Sequence, residues 1–305
     1  MAAGATPVSG LTIRVAETDA DLERWRQVRI AVLPNERCRT VEEMREVMIP
    51  ERVYLLAELD GVVAGSGLGG RSDLADAGLH PRVMPSARRR GVGTALLLAL
   101  AERAVAFGFK EATTNVDDAG SLAFGERFGY REVDRQIEQV RELGDEPRAA
   151  APTGIEIVAV ASRPELWRAA YDPLALQAFE DMALETPLLA SLEQWERDWL
   201  DWPEGMFLAL AEREIVGCAG LERDVDRPER AANALTAVLR GWRGRGIAST
   251  LKRTALSFGA TNGIREVYTW TQQGNADMLR LNEHLGYVER AVSITVRAPL
   301  PLTLP

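Results

Sequence analysis

The chain of 305 residues is 46% hydrophobic and 27% charged, enough apolar side chain for two cores of ordinary domain size and too much for wholesale disorder. A net charge of -9 excludes a broad basic footprint for nucleic acid, and no apolar run approaches the roughly 20 residues that span a bilayer. Two cysteines, Cys38 and Cys218, and two histidines, His80 and His284, are too few for a disulfide framework or a zinc cluster. The first ten residues lack the basic start and apolar core of a signal peptide. The expectation is a soluble cytoplasmic protein without metal, nucleic-acid partner or membrane partner.

Residues 12–15 read as a short strand, and a helix follows from about Asp19, its acidic first turn favoured by the helix dipole. Thr40-Val41-Glu42-Glu43 has capping-box spacing and opens a second helix. Strands at 53–58 and 62–67 meet at Asp60-Gly61, a hairpin signal. A further strand ends near Val83, and a helix covers about 91–107 with Gly108 placed to stop it. A strand at 111–116, a short helix around 121–128 and a strand at 131–140 close the series.

The series then repeats. Arg88-Arg89-Arg90-Gly91-Val92-Gly93 returns 155 residues later as Arg243-Gly244-Arg245-Gly246-Ile247-Ala248, and Val83, Gly108 and Thr114 return at that offset as Val238, Gly263 and Thr269. Phe128-Gly129-Tyr130 returns as Leu285-Gly286-Tyr287, and Val63-Ala64-Gly65 resembles Ile215-Val216-Gly217. The proline- and alanine-rich stretch 144–153 reads as a linker between an N-terminal domain, 1–143, and a C-terminal domain, 154–305. In the second domain strands are expected at 155–160, 206–211, 215–221, 234–238, 266–270 and 291–296. Hairpins flanked by helices suggest a mixed sheet, class α/β (α+β).

At both arginine-glycine loops a strand ends and a helix begins. A helix N-terminus carries unpaired N–H groups and partial positive charge, glycine lets a large anion approach, and arginine adds donors suited to phosphate oxygens. The combination is a phosphate or pyrophosphate cradle. Neither loop has the Gly-Lys-(Ser/Thr) of a triphosphate loop, and Leu96 stands where a dinucleotide fingerprint needs its third glycine. A tight turn with surface arginines is the competing reading, weakened by two matched loops in matched contexts.

These loops, each after a Val-ending strand and before a helix, a strand and a terminal (Phe/Leu)-Gly-Tyr, resemble the GCN5-related N-acetyltransferase (GNAT) family. Two concatenated copies resemble its tandem, mycothiol-synthase-like subgroup. The second copy is the stronger match, through Thr236-Ala237-Val238, Arg243 to Lys252, Thr269-Trp270-Thr271 and Asn275 to Asn282. The resemblance implies two tandem GNAT-like domains, each a mixed, mostly antiparallel sheet flanked by helices, with acetyl-CoA as acyl donor. It places the pyrophosphate on Arg243, Gly244, Arg245, Gly246, Ile247 and Ala248, the pantetheine arm along Thr236, Ala237 and Val238, and the amide of Asn275 beside that arm. Val83, Arg88, Arg89, Arg90, Gly91, Val92 and Gly93 are the corresponding positions of the first copy.

The reaction implied is direct attack of a primary amine, that of a small molecule, on the thioester, with a backbone N–H stabilising the oxyanion. A non-catalytic acetyl-CoA-binding module and a protein or peptide amine acetyltransferase are the alternatives. The family's glutamate base points to Glu222, with Asp224 behind it, against the reading of 222–227 as a solvated charged loop; the first copy offers Asp73 and Asp76. Phe124 and Asn282 stand where the family places a tyrosine that protonates the leaving thiolate. Cys218 reads as a packed strand residue and His284 as a structural or surface one. Trp195, Trp199 and Trp202 read as a core or packing stripe, or as the wall of an acceptor groove. The C-terminal copy is favoured as the catalytic one.

Overall fold

The computed structural model describes residues 8–34, 38–71, 76–147, 149–182, 190–224 and 227–303. β1 (Leu11–Val15) leads into α1 (Asp19–Val32), closed at its start by a Thr18–Asp21 capping box, and α2 (Val41–Glu46) is closed likewise by Thr40 and Glu43. β2 (Val53–Leu59) and β3 (Val62–Arg71) turn at Asp60-Gly61, both at positive φ as a two-residue hairpin turn requires. β4 (Ala77–Val83), α3 (Val92–Ala106), β5 (Glu111–Val116) and α4 (Ala119–Glu126) follow. The strands lie in the order β1-β2-β3-β4-β5, antiparallel except for the parallel pair β4–β5.

The second half builds the same pattern. β6 (Arg131–Glu142) is followed by β7 (Ile155–Ala159), the short helices α5 (Glu165–Ala169), α6 (Leu176–Asp181) and α7 (Leu192–Asp198), and the strands β8 (Met206–Ala211) and β9 (Glu214–Arg223). Then come β10 (Arg230–Asn233), β11 (Ala237–Val238), α8 (Ile247–Thr261), β12 (Glu266–Gln272), α9 (Ala276–His284) and β13 (Val288–Pro299). The order is β7-β8-β9-β10-β12, again with one parallel pair, β10–β12, and with β11 on β9.

The outermost strands are exchanged between the repeats. Ile294 to Pro299 of β13 pair with β5, whereas Gln136 to Glu142 of β6 pair with β12. The compact units are therefore Met1–Val133 with Ile294–Pro305, and Asp134–Ser293. The sequence repeat places boundaries at 143 and 154 and has each copy closed by its own last strand. It cannot decide the matter, because β5 and β12 are corresponding strands of the two repeats and offer similar edges to an alternating strand.

The second unit carries an apolar layer on each sheet face. Leu221, Ala231 and Val267 pack with Ile247 and Leu251 of α8, while Leu208, Leu210 and Cys218 pack with Trp167, Phe179 and Trp195 from the α5–α7 region. Trp195 is fully buried and stacks on Trp167 with ring centroids 4.1 Å apart, and each indole N–H donates to the other's backbone carbonyl. The tryptophan stripe is core at Trp195, and Trp202 packs instead on Phe258 near α8.

A chain ending at Ser293 lacks the partner of β5 and the buried Val296 and Ala298. Limited proteolysis is expected to cut within 8–133 of this truncated chain while 134–293 stays resistant; equal resistance of both would contradict the exchange.

Candidate functional site

α3 and α8, each 15 residues long, start differently from the other long helices. α1, α4 and α9 are closed by side chains, those of Thr18, Asp118 and Asn275, but α3 and α8 begin at Gly91 and Gly246 with no side-chain cap. Both glycines are left-handed, at φ 83° and 77°, and two positions before each stands a second left-handed residue, Arg89 at 63° and Gly244 at 75°. The first helical bonds are Ala95 N–H to Gly91 and Thr250 N–H to Gly246, which leaves the amides of 92–94 and 247–249 directed out of the helix end. Such a turn concentrates aligned N–H groups and suits an anion. A Cβ on Gly244 or Gly246 would meet nothing within 4 Å, whereas one on Gly91 would stand 2.6 Å from a Val8 methyl.

The motif's first arginine is spent on the protein. Arg243 Nε donates to the Val238 carbonyl at 3.0 Å, and Arg88 Nε donates to Val83 at 3.4 Å. Arg243 also pairs with Asp181, which holds Arg240 at 2.5 Å. Arg245 donates to the Gly241 carbonyl and lies 4.5 Å from the Trp242 ring centroid, and Arg90 pairs with Asp60 at 3.3 Å. The guanidinium donors expected to face phosphate thus brace the turn, and the donors presented outward are backbone amides, with Ile247 and Ala248 among them.

Next to the turn, the expected strand 234–238 is broken. The β10–β12 ladder ends at Ala232↔Tyr268, β11 pairs only with β9, and residues 234–236 lie outside both strands. Thr236 Oγ1 is buried there without a hydrogen-bond partner. Gly217 permits the approach of β11, since a Cβ on it would stand 2.9 Å from the Ala237 carbonyl oxygen; Gly65 does the same for Arg82 in the first unit, at 2.7 Å. β4 and β5 likewise part after Gly78↔Thr113, but here His80 Nδ1 meets Thr114 Oγ1 at 3.0 Å across the gap. Burial, then the charges of Arg82 and Arg29, lower this imidazole to about 3, so it is neutral. Counted from the matching rungs Ala77↔Ala112 and Ala231↔Val267, the place of His80 is taken in the second unit by Ala234.

Glu222 lies inside β9, opposite Ala232, not in a loop after the strand. It is half-buried, and burial, followed by the charge of Asp201, raises its carboxyl above the ordinary range. Asp224 is engaged by the Arg227 N–H and by Arg230. Asp76 accepts from Thr113 Oγ1 at 3.2 Å, and Asp73 lies outside the described residues. Asn275 Oδ1 caps α9 through the Met278 N–H, which leaves its NH2 group for another partner. Phe124 packs on Phe128, His284 is exposed, and Cys218 is buried with its thiol pushed up to about 12. Asn282 is fully buried; its NH2 donates to Gln139 and Thr271 while Oδ1 has no partner.

Sequence reasoning missed a partly buried ionic cluster on the Glu222 face. Arg230 bonds Glu266 at 2.6 Å and Glu138 at 3.1 Å, Arg290 bonds both carboxylates, and Arg230 lies 3.8 Å from the Tyr268 ring centroid. Its members are separated by up to 152 residues, so no local spacing announces them. The uncapped turn, the open glycines and the orphaned Thr236 hydroxyl fit a diphosphate continued by an arm rich in amides. No group of metal-ligating side chains occurs among the described residues, and no helix among them is long and apolar enough to cross a membrane.

The family model described as Acetyltransferase (GNAT) family matches residues 20–130 and 163–287, one match in each half. The mycothiol acetyltransferase of Brachybacterium faecium is 31% identical over 76% of this chain and 71% of its own length, and that of Thermomonospora curvata 29% identical over 81% and 82%. Among solved structures, a GCN5-related N-acetyltransferase from Sphaerobacter thermophilus superposes with TM-score 0.77 at 20% identity, covering 96% of this chain and 97% of that one. A tandem GNAT protein from the clavulanic acid biosynthesis pathway gives TM-score 0.70 at 18% identity, covering 95% and 98%.

Gly246→Glu puts a side chain and a negative charge into the turn and is expected to weaken CoA binding, read by calorimetry, by more than about tenfold. Gly263→Glu imposes the same strain at another open left-handed glycine, φ 85°, and should leave that affinity in place. Equal affinity in Gly246→Glu and the parent protein would refute the site.

Proposed function

The chain belongs to the acetyltransferase (GNAT) family and is a tandem acyltransferase that carries out acetyl transfer; from this we propose that its second unit moves the acetyl group of acetyl-CoA to a primary amine of a small molecule. The observation that carries the reading is the uncapped start of α8 at an open two-glycine turn, next to a broken strand holding an unpartnered buried hydroxyl. The amides of 247–249 take the diphosphate, with Arg243 bracing the turn beneath them. The free edge of Ala237 and Val238, the Thr236 hydroxyl and the Asn275 NH2 take the pantetheine amides.

Glu222 is the base. Its carboxylate has no hydrogen-bond partner among the described residues, and its raised pKa makes it a better proton acceptor than an ordinary glutamate. It receives the proton of the attacking amine, while a backbone N–H at the strand break stabilises the oxyanion. The first unit supports the second: its gap is bridged by His80 and Thr114, and Val8 already stands against Gly91. The net charge of -9 favours a cationic acceptor, and the name shared by the relatives makes a mycothiol-type amine the first acceptor to try.

The test is thiol release from acetyl-CoA with a panel of amines. Because the folded pKa of Glu222 is raised, the acid limb of kcat/KM should lie above the roughly 4.3 of a free glutamate, with activity lost as pH falls through it. Glu222→Gln should lose about a hundredfold or more in kcat with CoA affinity retained. Full activity in Glu222→Gln would remove it as the base, and CoA binding without thiol release for any amine would point to a binding module.

A further inference from the structure

Lys252 is one of two lysines in a chain with 34 arginines, and at 1% exposure it is buried inside the second unit. It stands on α8 with its Nζ 5.2 Å from the centroid of the Tyr287 ring. Tyr287 Oη accepts from Asn233 Nδ2 at 2.8 Å, and its own O–H hydrogen has no acceptor among the described residues. Asn233 is the last residue of β10, beside the strand break. No carboxylate pairs with Lys252 among the described residues, and desolvation alone lowers its amine to about 7.

The first unit shows what the fold needs at these places. Asn233, Lys252 and Tyr287 correspond to Leu79, Leu97 and Tyr130, and Leu79 and Leu97 are 0% and 2% exposed. A leucine therefore packs under this helix without difficulty, whereas an unpaired buried ammonium opposes folding. A lysine kept there against that cost calls for a role in the chemistry.

The sheet faces indicate which role. Residues directly opposite on neighbouring strands share a face. Asn233 lies opposite Leu221, on the α8 side, and Glu222 lies opposite Ala232, on the other side. The base and the Asn233–Tyr287–Lys252 cluster thus flank the break from opposite faces. An acyl transfer needs help on both sides, at the incoming amine and at the outgoing sulfur, and the position of the family's thiolate-protonating tyrosine holds Asn282.

We propose that Lys252 is a positioning residue for the leaving group, whose positive charge, held against Tyr287 beneath the strand break, favours the CoA thiolate as it departs. The inference rests on acetyl transfer by the second unit. The amine nitrogen bonds the carbonyl carbon, the C–S bond breaks with its electron pair on sulfur, the amine proton passes to Glu222, and water protonates the released thiolate. Lys252 acts in its ammonium form, which prevails below about pH 7, and its proton count does not change in the step. Around it stand Tyr287, and beyond that ring Arg141 of β6 and Glu146, which pair at 2.6 Å; Arg253 follows it on α8, and Cys218 of β9 is neutral and faces the other way.

The experiment follows kcat for acetyl transfer by the intact protein from about pH 5 to about pH 9. The parent's kcat should carry a limb near pH 7, falling as Lys252 loses its charge, and Lys252→Met should lack that limb. In that variant kcat should fall on the order of a hundredfold, with KM for acetyl-CoA within about twofold. Its thermal midpoint should rise, most below about pH 7 where the parent lysine is charged, with the gain fading as pH climbs toward 10.5. Lys252→Leu, carrying the first unit's residue, serves if methionine packs poorly. The same limb near pH 7 in both variants, with acetyl transfer intact in the parent, overturns this inference alone. Absence of acetyl transfer in the parent overturns the functional reading instead.

Discussion

The candidate site rests on two 15-residue helices, α3 and α8, that start at a left-handed glycine without a side-chain cap. An N-terminal turn has several N–H groups with no partner inside the helix, and proteins usually supply a side-chain oxygen for one of them. This chain does so with Thr18, Thr40, Asp118, Ser191 and Asn275, then withholds it at α3 and α8, where a left-handed glycine takes the capping position. Glycine in place of a capping side chain costs only about a few tenths of a kcal/mol, and an anion at the turn offsets it. The arginines beside the turn hold its shape by bonding Val83, Val238 and Asp181, so the donors left facing outward are the helix's own amides.

Duplication supplied two such turns, and single positions distinguish their surroundings. His80 bridges one strand gap, and Ala234 leaves the other free of an imidazole. Leu97 packs in one core, and Lys252 takes the matching position in the other. The first difference lies at the strand break and the second on the helix that follows it, while the architecture around them is held in common. The pattern is that of one scaffold built twice, with different side chains at matching positions.

Much of the fold was legible because it is local. The Thr40 capping box, the Asp60-Gly61 turn and the Gly108 helix stop are each set by neighbours in sequence, and the structure has all three. The arginine-glycine loops were legible through repetition. The pairing of β6 with β12 and of β13 with β5 was not, since similar edges compete for similar strands. Nor was the break at 234–236: an apolar run with one threonine reads as continuous strand unless the partner edges are known. The Arg230–Glu138–Glu266–Arg290 cluster joins residues scattered across the unit, and no neighbour of Lys252 in sequence announces its burial.

Hydrogen–deuterium exchange of the backbone amides, with and without CoA, tests the central claim most directly because it reads the proposed donors themselves. The account predicts new protection at Ile247, Ala248 and Ser249 on adding CoA, with Val92, Gly93 and Thr94 exchanging as before. Unchanged exchange at 247–249 in a sample that binds CoA would contradict it, as would equal protection at both helix starts.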